Sequence, residues 1–219
     1  DGDVHKQRAG IVIIGRKRDL RGLDILIDRL TAREAEVRRD AIRALARLGQ
    51  DRAVGPVAKL VVGDPSPDVR RLAATALGEL SDTRAIEPLV GALRDTEPAV
   101  KRAAAKSLIA LGDLQRRQEG SPLDGPAPDA TSLVRFHQYM AVEPLLESLE
   151  DEDAEVRQAA ALALGRIDAV VAVQALARAL KDPEEAVRKA AAFALGDLGL
   201  PDVVPILCDA LRDPEAKVE

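Results

Sequence analysis

The sequence predicts an all-α solenoid, a superhelix of two-helix repeats. Three observations lead there: a motif that recurs at about 31 residues, helical apolar spacing within each copy, and a nearly ring-free composition. Apolar residues make up 47% of the 219, but aromatics only 1%, namely Phe136, Tyr139 and Phe193, with no Trp. A core of Ala, Leu, Val and Ile must be packed at close range, which helix-on-helix stacking achieves.

The repeat is visible by direct comparison. Asp68-Val-Arg-Arg-Leu-Ala-Ala-Thr-Ala-Leu-Gly-Glu-Leu80 matches Ala186-Val-Arg-Lys-Ala-Ala-Ala-Phe-Ala-Leu-Gly-Asp-Leu198. A third copy is Glu155-Val-Arg-Gln-Ala-Ala-Ala-Leu-Ala-Leu-Gly-Arg-Ile167, and weaker ones begin at Val37 and Val100. The anchor valines Val37, Val69, Val100, Val156, Val187 and Val218 are spaced 32, 31, 56, 31 and 31. The spacing of 56 is one period of 31 plus an insertion of about 25, at about residues 114–139. One solenoid over 1–219 is therefore expected. It has a degenerate first repeat at 1–31, full repeats from about 32, 64, 95, 151 and 182, and a partial repeat at 213–219.

Each period divides into two helices. In the first, Val69, Ala73, Leu77 and Leu80 form a stripe at helical spacing. Gly78, Gly165 and Gly196 precede a short turn. The second helix is expected from about Ala85, burying Ile86, Leu89 and Leu93. Pro88 falls in its first turn, where a missing N–H costs little, and Pro144 and Pro205 repeat the device. Asp64, Asp95, Asp151, Asp182 and Asp213 each stand five residues before the next valine, a place from which they can cap the following helix.

From about residue 31 onward these residues resemble the phycobilisome-lyase type of HEAT repeat, whose pattern runs D-P-x-x-x-V-R-x-x-A-A-x-A-L-G-x-L-G-D-x-x-A-V-P-x-L. The resemblance implies a HEAT-like solenoid and a binding scaffold. It also brings an alternative function: an accessory subunit like those of bilin lyases, handling a tetrapyrrole and a phycobiliprotein. Residues 1–30 fit the pattern poorly, since Arg8 replaces an apolar residue and Gly15 replaces Leu. The chain opens at Asp1 without Met and stops at Val218-Glu219, in the first turn of a further unit. More repeats, or a cap, are expected in a parent chain.

Net charge is −5, distributed as +4 over residues 1–50, 0 over 51–140 and −9 over 141–219. The total disfavours a nucleic-acid binder, and the gradient polarises the molecule along its length. No run approaches the ~18 apolar residues a membrane span needs, and no signal-peptide pattern is present, so no membrane partner is expected. Cys208 is the single cysteine, which rules out an intramolecular disulfide and suggests a reducing, cytoplasmic setting.

Catalytic signatures are missing. His5 precedes Lys6 and His137 precedes Gln138, so the paired His-Glu motif of HEAT-like iron hydroxylases is absent. There is no HExxH, CxxC, GxGxxG or P-loop. HEAT-like DNA glycosylases rely on Trp, which this chain lacks. A non-enzyme without cofactor or metal is the expectation. Cys208 reads as a small packing residue in a second helix, because Asp209 beside it disfavours a thiolate. Arg38, Arg70, Lys101, Arg157 and Arg188 recur once per repeat beside the valine, and with the boundary aspartates they read as an ion-pair ladder rather than an anion site.

A partner-binding face follows from the helical period. The first helix buries positions 0, 4, 8 and 11 counted from its valine, leaving positions 2, 6 and 10 on the other side. Position 2 reads Arg39, Arg71, Arg102, Gln158 and Lys189. Position 6 reads Arg43, Thr75, Lys106, Leu162 and Phe193, and position 10 reads Arg47, Glu79, Ala110, Arg166 and Asp197. The N-terminal part of this face is basic, and the C-terminal part offers Leu162 and Phe193 as apolar anchors. The insertion adds a Gly/Pro-rich loop at 120–128 and a possible short helix at 132–139 that carries Phe136 and Tyr139. The expected function is a non-catalytic scaffold binding another protein or peptide through these residues.

Overall fold

The computed structural model describes residues 2–119, 131–167 and 169–212, with side chains over 3–113, 140–167 and 169–210. The described residues are helical throughout, with no strand. The helices are α1 (Gly2–Lys17), α2 (Leu23–Arg29), α3 (Ala35–Leu48), α4 (Val54–Gly63), α5 (Pro67–Leu80) and α6 (Ile86–Ala92). They continue as α7 (Pro98–Glu119), α8 (Thr131–Ser148), α9 (Ala154–Arg166), α10 (Val173–Ala179), α11 (Glu185–Leu198) and α12 (Val203–Arg212). The chain forms two compact units, residues 1–111 and 112–219.

Within each unit the expected repeat is realised. First helices pack on first helices, α1 on α3 on α5 in one unit and α9 on α11 in the other. Second helices pack behind them, as α4 does on α6. Val37, Val69, Val156 and Val187 are fully buried, as are Ala41, Ala73, Ala160 and Ala191 four residues on. Leu45, Leu77, Leu164 and Leu195 complete the stripe. Each such leucine contributes roughly 1.5–3 kcal/mol relative to exposure. Second helices bury Leu26, Val57, Leu89 and Leu176 against them.

The turn between the two helices has a fixed composition. Gly49, Ser81 and Gly199 end their helices in the left-handed conformation, with φ of 65°, 57° and 60°. A one-turn 3-10 segment follows, at Leu20–Gly22, Asp51–Ala53, Thr83–Ala85 and Val170–Ala172. It ends in a buried glycine or alanine each time. At Gly22 an added Cβ would lie 2.4 Å from Ile14 Cγ2. The second helix therefore starts one residue after Ala85, at Ile86.

The glycines of the Ala-Leu-Gly motif do more than precede a turn. A Cβ on Gly78 would lie 2.8 Å from Ser107 Cβ, and one on Gly165 would lie 2.6 Å from Ala194 Cα. One on Gly15 would lie 2.8 Å from Ala44 Cα. Each glycine thus receives the first helix of the next repeat at the same relative position. This corrects the sequence register of residues 1–30. Gly15 occupies the motif's glycine position, and Arg8 lies on the outer face, bonded to Asp40 and Glu36 at 2.7 Å each. The first repeat shares this glycine contact with the others, although Lys6, Gly10 and Lys17, at the stripe positions of that register, are exposed.

Three further expectations are revised. Pro144 lies inside α8, not in a first turn, because that helix begins thirteen residues earlier at Thr131. Its turn is supported by the Ser148 hydroxyl, which donates to the Pro144 carbonyl at 2.8 Å. Cys208 is exposed and is not a packing residue. Residues 114–119 continue α7 and 131–139 open α8, so the expected short helix at 132–139 is part of a longer one. The loop at 120–128, Asp213 and the partial repeat 213–219 lie outside the described residues, as do the side chains of Phe136, His137 and Tyr139.

Candidate partner-binding face

The recurrent arginines turn inward along the repeat boundary. Arg38 donates from Nε and Nη2 to the two Asp64 oxygens at 2.7 and 2.8 Å. Arg70 does the same to Asp95, and Arg157 to Asp182. The Nη1 group of each arginine also donates to carbonyls of its own boundary turn: Ala32 and Arg33, Asp64, and Asp151 and Glu152. One guanidinium thus ties the turn before its helix to the turn ending its repeat. Arg188 makes the same inner bonds, to the Asp182 and Pro183 carbonyls, and its Nε has no partner among the described residues.

The boundary aspartates are not helix caps. Their Oδ1 atoms accept the backbone N–H two residues on, at Ser66, Glu97, Asp153 and Glu184, closing a short turn. The extended residue before the helix comes later, at Ser66, Asp153 or Glu184. Burial pushes the Asp95 and Asp182 carboxyls up, but arginine and backbone N–H bonds overcome it, and both titrate below the ordinary carboxylate range. The ladder is structural, and it occupies the guanidinium groups of Arg38, Arg70 and Arg157.

The outer positions are different. In the first unit Arg43, Arg47 and Lys106 are exposed, while Arg39, Arg71, Thr75 and Arg102 are half-buried. Two aspartates temper this face. Asp40 lies 3.2 Å from Arg43, and Asp68 lies 3.4 Å from Arg39 and 3.8 Å from Arg71. Thr75 spends its hydroxyl on the Arg71 carbonyl at 3.1 Å. The net result is a basic surface made by α3, α5 and the start of α7.

In the second unit the candidates separate. Phe193 is 69% exposed on α11, an unusual position for one of only two phenylalanines. Leu162, expected to be an exposed anchor, is only half-buried. Arg166 bridges Asp113 at 3.1 Å and Asp197 at 2.9 Å, and Lys189 holds Glu185 at 2.6 Å. Those two cations are committed within the fold, because acidic residues are dense in this half.

A surface absent from the sequence expectations lies on the second helices. Between α8 and α10 is a groove of about 500 Å³, lined on one side by Glu143, Leu146, Glu147 and Glu150 and on the other by Val171, Ala175 and Arg178. The spacings of three and four within each set were the available signal. Among the described residues, no group of three or more His, Cys, Asp or Glu is placed to hold a metal ion, and no helix is long and apolar enough to cross a membrane.

The repeat geometry agrees with known families. The family model for HEAT repeats matches residues 54–119, 130–183 and 142–219. The chain belongs to the HEAT-repeat family. A second model, the PBS lyase HEAT-like repeat, matches residues 37–61. No curated protein is significantly similar to this HEAT-repeat chain in sequence. Among solved structures, an engineered protein is similar at 24% identity and a TM-score of 0.60, covering 87% of this chain and 85% of its own. The complex of CpcE and CpcF of phycocyanin lyase from Nostoc sp. PCC7120 is similar at 25% identity and a TM-score of 0.58, covering 80% of this chain and 99% of that one.

Proposed function

We propose that this HEAT-repeat chain is a non-catalytic scaffold that binds an acidic protein segment on the first-helix face of its N-terminal unit. The observation that carries the reading is the exposure of Arg43 and Arg47 on α3 and of Lys106 on α7, two first helices further on, while the ladder arginines are used internally. Exposed guanidinium groups on one first helix and an ammonium group two repeats on match carboxylates spaced along an extended partner. Phe193 serves as a separate apolar anchor in the second unit.

The test is kinetic. Peptides selected from a display library against the chain are expected to be rich in Asp and Glu. Reversing Arg43 and Arg71 to Glu should slow their association, and the deficit should shrink as added salt screens it. Phe193→Ala should speed dissociation from ligands that reach it, with a cost of roughly 1–3 kcal/mol and no change in melting. Selected ligands that ignore the Arg43 and Arg71 reversals would overturn the reading.

A second reading is supported by the likeness to the phycocyanin lyase subunits. On it, this chain is an accessory subunit that handles a tetrapyrrole together with a phycobiliprotein. Mixing the chain with phycocyanobilin and recording the visible spectrum decides it. A shifted and intensified band supports the second reading, and an unchanged spectrum counts against it.

A further inference from the structure

We propose that the groove between α8 and α10 is a second docking site, of opposite charge, for a basic amphipathic segment of a partner protein. It lies on second helices and does not depend on the first-helix face.

The groove is built by two stripes at helical spacing. Glu143, Leu146, Glu147 and Glu150 follow one another at three, one and three residues along α8 and the turn after it. Val171, Ala175 and Arg178 follow at four and three residues along the 3-10 turn and α10. The apolar members are not sealed: Leu146 and Ala175 are half-buried, Val171 is 69% exposed and its neighbour Val170 54%. Val171 stands in water at the mouth of the groove, whereas Val156 of the same repeat is fully buried. Val171 gains its hydrophobic stabilisation only when something covers it.

The charge says what that is. Glu143, Glu147 and Glu150 are all exposed along one wall, and the facing wall offers the single cation Arg178. Asp182, also on the lining, is already held by Arg157. The surroundings reinforce the sign, since residues 112–219 carry 11 basic and 21 acidic side chains against 21 and 16 over 1–111. An acidic or neutral segment would bring no opposite charge to Glu143 and Glu150 as it covered them. A helix with Lys or Arg on one side and Leu or Ile on the other satisfies both walls and floor. Its volume of about 500 Å³ accommodates a few side chains, not a folded domain.

The experiment uses the full chain and three fluorescent 16-residue peptides. The first is an amphipathic helix with Lys/Arg on one face and Leu on the other. The second has the same composition scrambled, so that the leucines no longer share a face. The third replaces every Lys and Arg by Glu. Binding is followed by anisotropy at low salt. The first peptide should bind at least about tenfold more tightly than the scrambled one, and the acidic one should not bind. Glu143→Lys with Glu150→Lys should weaken the first peptide about tenfold or more, and Val171→Asp should weaken it through the apolar wall. All three residues are exposed, so melting should be unchanged; Glu143→Gln with Glu150→Gln, a milder pair, guards against local distortion. Equal binding of ordered and scrambled peptides would reduce the effect to overall charge and overturn the proposal. So would insensitivity to both sets of groove variants. Concentration-dependent self-association abolished by the same variants would identify a second copy as the occupant and would equally overturn it.

Discussion

Arg70 and Asp95, 25 residues apart, meet side-on, with Nε to Oδ2 at 2.7 Å and Nη2 to Oδ1 at 2.9 Å. Arg157 and Asp182 repeat the pairing at the same separation, and Arg38 and Asp64 at 26. Both partners of the Arg70 pair are largely buried, so neither can find water if the other is removed. Arg70→Ala and Asp95→Ala should each cost about 2–4 kcal/mol in urea unfolding, and the double variant should cost clearly less than the sum. Additive losses would mean that the pair is not a unit.

The same pairs set the acid limit. The Asp95 and Asp182 carboxyls have folded pKa values below their unfolded ones, because arginine and backbone N–H bonds outweigh burial. Their contribution is fully present above the unfolded carboxylate pKa, about 3.9, and is lost as pH falls through the lower folded values. Stability should hold from pH 7 to about 5 and drop below about pH 4. Asp95→Asn should show a shallower acid dependence. A pH titration of the urea midpoint checks both statements.

Glycines of one motif should respond in opposite ways. Gly165→Ala places a Cβ 2.6 Å from Ala194 Cα, in the backbone of the next helix, and should cost about 1–3 kcal/mol. Gly196→Ala meets nothing within 4 Å and removes a flexible residue from a helix. It should stabilise by roughly 0.5–1 kcal/mol. Thermal melts of the two variants displaced in the same direction would disprove the contact.

Ser81 ends α5 with φ 57°, where Gly49 and Gly199 end the equivalent helices. A side chain in the left-handed region costs energy that glycine avoids, and the Ser81 hydroxyl recovers little through its long bonds of 3.3 and 3.4 Å. Ser81→Gly should raise stability by up to about 1 kcal/mol, visible as a higher melting temperature.

Much of this architecture can be read from residue spacing alone. A helix has one period, so Val69, Ala73 and Leu77 must share a face, and a face repeated every 31 residues has only its own copies to pack against. The ladder was legible too, since one arginine and one aspartate per repeat can be satisfied together only across a boundary. The first repeat is obscured in sequence because Ile13-Ile14 stands where Ala-Leu precedes the glycine elsewhere, and only the contact with Ala44 marks Gly15 as the motif's glycine.

Other features depend on tertiary structure because they join segments that no local pattern relates. Arg166 looks like an outer-face cation in sequence, but its guanidinium reaches Asp113 and Asp197, residues 53 positions before it and 31 after. Gly165 and Gly196 are identical in motif, and only the presence of Ala194 against the first makes it intolerant of a Cβ. The groove exists only where the stripes of α8 and α10 face one another. Helical periodicity determines which side chains share a face. What lies opposite that face is decided by packing between helices distant in the chain, and that decides which charges are spent on the fold and which remain for a partner.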